Sequence, residues 1–153
     1  MNIKGAITAL ATPMKMDGSL DFSSLEKLIE FQISEGINGL VAVGTTGESA
    51  TVDVEEHLEI ISFFIKISNN RVPIIAGTGA NSTKEAIELT KEARDLGADA
   101  ALLVSPYYNK PTQEGLFRHF TEIANQVDIP QIIYNVPSRT ASNIDVNTIK
   151  RLC

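Results

Sequence analysis

Residues 40–49, Leu40-Val41-Ala42-Val43-Gly44-Thr45-Thr46-Gly47-Glu48-Ser49, pass abruptly from a branched apolar run to glycine and hydroxyl residues. An apolar run with no alternation reads as a strand buried on both faces, as in a parallel sheet covered by helices. The polar half reads as a tight turn, in which Gly44 and Gly47 permit backbone conformations and close approaches that a side chain would block. Thr45, Thr46 and Ser49 set hydroxyls beside freed backbone N–H groups, a combination that suits a small carboxylate or phosphate. An ordinary strand-to-helix connection without a ligand is the alternative at this point.

Outward from this stretch the same unit recurs. Upstream, residues 6–12 form a first strand ended by Pro13, and Asp17-Gly18 marks a turn. Leu25, Leu28 and Ile29 then follow at helical spacing, with Gly36 as the stop before a strand over 37–43. Downstream, Val54, Leu58, Ile61 and Ile65 fall on one face of a helix over 54–67, followed by a strand over 72–76. Ser82-Thr83-Lys84-Glu85 is a capping box for a helix with Ala86, Ile87, Leu89 and Ala93 inward and Gly97 closing it. A strand over 100–104, a helix over 115–127 carrying Leu116, Phe120, Ile123 and Ala124 on one face, and a strand over 129–136 complete the series. Asp145 is placed to cap a last helix.

Alternation with a repeat of roughly 30 residues is that of βα units and predicts a parallel α/β sheet. An open doubly wound sheet and a (β/α)8 barrel compete for this pattern. The chain, residues 1–153, reads as one domain without a low-complexity linker. The closest approach to a dinucleotide fingerprint, Gly77-Thr78-Gly79-Ala80-Asn81-Ser82, lacks its third glycine, and Asp99 stands before a strand rather than after one.

Composition narrows the partners. The apolar share is 43%, the charged share 21% and the net charge -6, with no basic run, which argues against nucleic acid and anionic membranes. The single cysteine, Cys153, permits no internal disulfide and no cysteine-based zinc site. No run approaches the ~18 apolar residues of a membrane helix. The opening Met1-Asn2-Ile3-Lys4-Gly5 leads into a strand-like run rather than a leader, so a cytoplasmic protein is expected.

Three strand ends are rich in polar chemistry: residues 44–48, Ser105-Pro106-Tyr107-Tyr108-Asn109-Lys110-Pro111, and Tyr134-Asn135-Val136-Pro137-Ser138-Arg139-Thr140. In a barrel such ends converge on one face. All 3 tyrosines lie in two of them. Tyrosine and threonine hydroxyls both donate and accept, so a Tyr–Thr–Tyr chain can relay a proton. Arg139 offers a planar fork for a carboxylate. Packing tyrosines and a surface salt bridge are the corresponding ordinary readings.

The motifs GTTGES, PYYNKP and YNVPSRT, in this order, resemble the 4-hydroxy-tetrahydrodipicolinate synthase (dihydrodipicolinate synthase) family of pyruvate-dependent aldolase-type lyases. The resemblance runs along the chain from Ala11-Thr12-Pro13 onward; the sister N-acetylneuraminate lyases resemble it less, lacking the YNVPSRT form. It implies a (β/α)8 TIM barrel, of which this chain carries about the first five βα units. It also implies condensation of pyruvate with aspartate semialdehyde in lysine biosynthesis, without metal or other cofactor, in a homo-oligomer built from tight dimers into tetramers. By the same resemblance Thr45 is the relay threonine and Thr46 helps bind the pyruvate carboxylate. Tyr134 is the central acid/base tyrosine, Tyr108 reaches the neighbouring site across the dimer interface, and Arg139 holds the semialdehyde carboxylate. Positions matching the lysine-effector site of inhibited members are Ser49, Ala50, His57, Asn81, Glu85 and Tyr107; Val54 stands where some of those members have histidine.

The family's imine-forming lysine belongs to a sixth strand, and none of this chain's lysines sits in a run that would bury it. A barrel of this class needs ~250 residues. The chain is therefore expected to be the N-terminal part of the enzyme, inactive alone, with open edges at its first and fifth strands and half its core facing water. Another pyruvate aldolase of the same superfamily and a non-catalytic partial barrel are the competing functions.

Overall fold

The computed structural model describes residues 3–153; Met1 and Asn2, the first residues of the opening read as leaderless, lie outside the described residues. Five strands, β1 (Ile7–Ala9), β2 (Gly39–Ala42), β3 (Ile74–Gly77), β4 (Ala100–Val104) and β5 (Gln131–Tyr134), form one parallel sheet in chain order. Sequential order with every pair parallel is that of a barrel wall; a doubly wound sheet would reverse direction partway. The connecting helices are α1 (Phe22–Ser34), α2 (Val54–Ser68), α3 (Thr83–Leu96) and α4 (Gln113–Gln126). A short α5 (Pro137–Thr140) and α6 (Val146–Leu152) follow β5. The fold is thus half of a (β/α)8 barrel, with β1 and β5 at its edges.

Each long helix starts on a side-chain oxygen that accepts an otherwise orphaned amide: Asp21 from Ser24 N, Asp53 from Glu56 N, Ser82 from Glu85 N and Thr112 from Gly115 N. Asp145 precedes α6 as expected, but its side chain makes no cap bond; its backbone carbonyl receives Thr148 N and Ile149 N.

The pleat divides the sheet residues. Leu40, Ala42, Ile74 and Ala76 pack under α1 and α2 with Leu25, Ile29, Ile60, Ile61 and Phe64. Ala101 and Leu103 pack under α4 with Leu116, Phe120 and Ile123. The opposite face carries Val41, Ile75 and Ala100 beside Leu102 and Ile132. Val41, Ile75 and Ala100 are buried, whereas Leu102 and Val104 of β4 and all of β5 are only half-buried, so the expected solvent-facing core is found on the β4–β5 side. The curl of the sheet covers the middle of its own inner face.

Several helix faces differ from the expectation. In α2 the buried residues are His57, Ile60, Ile61, Phe64 and Ser68, whereas Val54 is 53% exposed. In α4, His119 takes the inward place expected for Ala124, which is exposed. Leu28 likewise lies at the surface. Helices with apolar residues around more than half their circumference do not fix their own orientation, and packing selects the face. No described helix is long and apolar enough to cross a membrane.

His119 has a thermodynamic consequence. It is 4% exposed, its Nδ1 meets Thr83 Oγ1 at 2.9 Å, and its Nε2 is buried without a partner. Burial disfavours the imidazolium and pushes its pKa down from 6.5 to about 4. The folded state therefore prefers neutral His119: this stabilisation is complete above pH ~6.5 and is lost as the pH falls towards 4, a total of ~3 kcal/mol. Urea unfolding should show a smaller acid-induced loss of stability in His119→Gln than in the parent; equal losses between pH 7 and pH 4 would contradict the assignment.

Candidate active site at the strand ends

At the end of β2 the chain leaves the sheet at Val43 and enters a 3-10 turn over Thr45–Gly47. The glycines of this turn do not carry its unusual backbone. Gly44 is extended (φ -77, ψ -170), and positive φ falls on Val43 (φ 50) and Glu48 (φ 60) on either side. Gly47 is favoured by proximity, since a Cβ there would crowd Thr12 Oγ1 at 3.0 Å and Leu10 O at 3.1 Å. Thr12 Oγ1 donates to Gly47 O at 2.7 Å and pins the turn to the segment after β1. The amides of Gly47, Glu48 and Ser49 bond to carbonyls within the turn. Any anion is left to the N–H and hydroxyl groups of Thr45 and Thr46.

Strand register sets Tyr134 beside the end of β4. Val104 pairs with Tyr134 and Leu102 with Ile132. Tyr134 and Thr45, with Ser49, Gly77 and Gly79, line a small cavity of about 20 Å³ on the inner face of the sheet. That is room for one water molecule. Among the described residues no hydrogen bond joins the Thr45 and Tyr134 hydroxyls directly.

A second, wider cavity of about 370 Å³ opens beside it, and Thr45, Ser49, Gly79 and Val104 belong to both. Its lining gathers Ala50, His57, Glu85, Tyr107 and Arg139 from separate chain segments. His57 lies on the inner face of α2, 5% exposed, and its Nε2–H donates to Gly77 O at 2.7 Å. Burial lowers its pKa against the opposing pull of that bond and of the Glu85 charge. Burial, and then the Glu85 carboxylate, push the Tyr107 phenol up. Arg139 is exposed at the mouth and makes no salt bridge among the described residues. The surface ion pair considered for it is not formed.

The remaining candidates lie outside both linings. Thr46 is exposed in the turn. Asn81 sits behind Tyr107, donating from Nδ2 to Tyr107 O at 3.2 Å, and its carbonyl accepts from Asn109 at 3.0 Å. Tyr108 is 89% exposed with φ 72. Every lysine is exposed and none lines either cavity. Burial is one means of activating an imine-forming amine, and none of these exposed lysines has it.

Sequence reasoning passed over Gly77 and Gly79, weighing them only as an incomplete nucleotide motif. Gly77 lines the small cavity and Gly79 lines both. A Cβ on Gly79, two residues past β3, would clash with the backbone amide of Val104, so the chain can approach the end of β4 there only without a side chain. Asp99 serves the sheet rather than a ligand, because its Oδ2 accepts the amide of Ile74 at 2.8 Å, at the start of β3.

Residues 2–153 match the model of the dihydrodipicolinate synthetase family. A 4-hydroxy-tetrahydrodipicolinate synthase of Pseudomonas savastanoi pv. phaseolicola is 61% identical over 98% of this chain and 51% of its own. A crystal structure of the chloride-inhibited dihydrodipicolinate synthase of Acinetobacter baumannii with pyruvate superposes at a TM-score of 0.98 and 60% identity, covering 99% of this chain and 52% of that one. A Cyanidioschyzon merolae structure with lysine bound superposes at 0.94 and 42% identity, covering 98% and 52%. The chain spans about half the length of the curated relatives it matches.

Proposed function

Because this chain belongs to the dihydrodipicolinate synthetase family, we propose that the protein carrying it condenses pyruvate with L-aspartate-4-semialdehyde through a Schiff base, in the lysine and diaminopimelate route. The observation that carries this reading is the cavity shared by Thr45 and Tyr134. Two hydroxyl-bearing residues from different strand ends line one small cavity, the arrangement a proton relay needs.

In this reading Tyr134 is the acid/base beside the imine and Thr45 its relay partner. Thr46 and the turn hold the pyruvate carboxylate. Arg139, unpaired at the mouth, receives the semialdehyde carboxylate with its two-pronged fork. Tyr108 reaches the site of a neighbouring subunit in a tight dimer, and two dimers form a tetramer; its 89% exposure supports a role outside its own subunit. Lysine formation of this kind is placed in the cytoplasm with its substrates.

The imine is assigned to a lysine outside residues 1–153, since every lysine within them is exposed. Borohydride reduction of the intact protein with labelled pyruvate should label such a lysine, and the 153-residue chain alone should take no label. Label on any lysine of this chain overturns the assignment, and no label on the intact protein overturns the reaction.

The wide cavity is proposed to take free lysine as an inhibitor. Glu85 supplies a carboxylate for its ammonium groups, Ser49, Ala50, His57 and Tyr107 complete the lining, and Asn81 supports Tyr107 from behind. The lysine-bound relative supports this use. Turnover of the intact protein should fall on adding lysine, and Glu85→Gln should abolish that response; turnover indifferent to lysine would remove the effector role.

A further inference from the structure

Two backbones meet in the lining of the small cavity. A Cβ on Gly77 would lie 2.3 Å from the Val43 carbonyl oxygen, 2.8 Å from its carbon and 3.0 Å from Gly44 N. The end of β3 is therefore pressed directly against the Val43–Gly44 peptide. Val43 is 1% exposed and β-branched, yet it holds φ 50. A branched residue keeps a left-handed backbone only where its surroundings over-determine it.

Those surroundings are identifiable. Downstream, Thr12 anchors the turn through Gly47 O at 2.7 Å. At the β3 side, the carbonyl of Gly77 itself accepts the Nε2–H of His57 at 2.7 Å in a buried bond. A carbonyl can only accept, so this bond also fixes the tautomer of the imidazole, with its hydrogen on Nε2. His57 thus spans from α2 to the strand residue against which Val43 is held, and Thr45 follows two residues later.

We propose that His57 is a positioning residue: through the Gly77 carbonyl it holds the end of β3 against the Val43–Gly44 peptide, keeps Val43 left-handed, and so sets where the Thr45 hydroxyl stands relative to Tyr134. This role is separate from lining the wide cavity. Only its catalytic meaning rests on the proposed synthase reaction.

The test is amide hydrogen exchange on the intact protein, without substrate. The amides of Gly47, Glu48 and Ser49 are held by bonds of 2.9, 3.2 and 3.4 Å within the turn, and they report its integrity. Leucine at position 57 fills space but donates nothing, whereas the amide of glutamine can still donate to Gly77. H57L should exchange the peptide over 44–51 about tenfold faster than the parent, with α4 unchanged, and H57Q should restore most of the protection. H57A, whose missing ring opens onto the neighbouring cavity, is the second variant should H57L fail to fold, and the same increase is expected of it. Unchanged exchange over 44–51, an increase that spreads equally through α4, or an increase that H57Q does not reduce overturns the proposal. Since no substrate is needed, such a failure leaves the synthase reading standing, and a missing borohydride adduct leaves this one standing.

Discussion

Tyr134→Phe should lower turnover of the intact protein by roughly 10²–10⁴-fold, the range for loss of a positioned acid/base group. Only the phenolic oxygen is removed. Tyr134 is half-buried at the end of the edge strand β5, and the retained ring keeps its contacts, so thermal unfolding should be unchanged. Thr45→Val removes the other hydroxyl at nearly constant volume and should cost a similar factor. The two residues line one cavity with room for a single water, so they should act as one unit. The double variant is then expected to be little worse than either single one, because a broken relay cannot be broken twice. Steady-state turnover of the four proteins decides the matter: losses that multiply would mean independent roles, and a fully active Tyr134→Phe would remove the relay.

The second large effect is on stability. Phe64→Ala should destabilise the protein by ~3–5 kcal/mol, while Val54→Ala on the same helix should change stability by less than ~0.5 kcal/mol. Phe64 is 1% exposed in the cluster that joins α1 and α2 to Leu40, Ala42, Ile74 and Ala76. Its removal leaves a cavity between helix and sheet that the rigid strands cannot close. Val54, in the first turn of α2, is 53% exposed and borders the open cavity, so its truncation removes little from water-free packing. Chemical denaturation of both variants measures the contrast. Equal losses would show that α2 presents the face suggested by residues 54, 58, 61 and 65 rather than the one centred on His57, Ile61 and Phe64.

That contrast shows where periodicity stops being informative. In α2 the apolar residues include Val54, Leu58, Ile60, Ile61, Phe63, Phe64, Ile65 and Ile67, which surround most of the helix. A helical period is visible in such a segment, but the direction of its buried face is not. The histidine that belongs to that face is polar and does not register in an apolar pattern. Similarly, α5 is too short to show a period, and Pro137 at its start reads equally well as a loop. The sequence marks Gly44 and Gly47 as the residues of this turn that permit unusual backbone or close approach. Positive φ falls on Val43 and Glu48, and at Val43 the backbone lies against Gly77, far along the chain.

The order of elements was written in the chain itself. Apolar runs, caps and turn residues recur at βα spacing, and local chemistry of that kind needs no distant partner to be read. The polar residues that end β2, β4 and β5 were legible for the same reason. Their meeting was not. Thr45 and Tyr134 share a cavity only because in-register parallel pairing carries successive strand ends to one side and the sheet curls around them. The conformation of Val43 exists only because β3, bonded to His57 on α2, presses against it. Both are contacts between residues remote in sequence, which arise from packing many weak preferences together and are recorded in no single stretch.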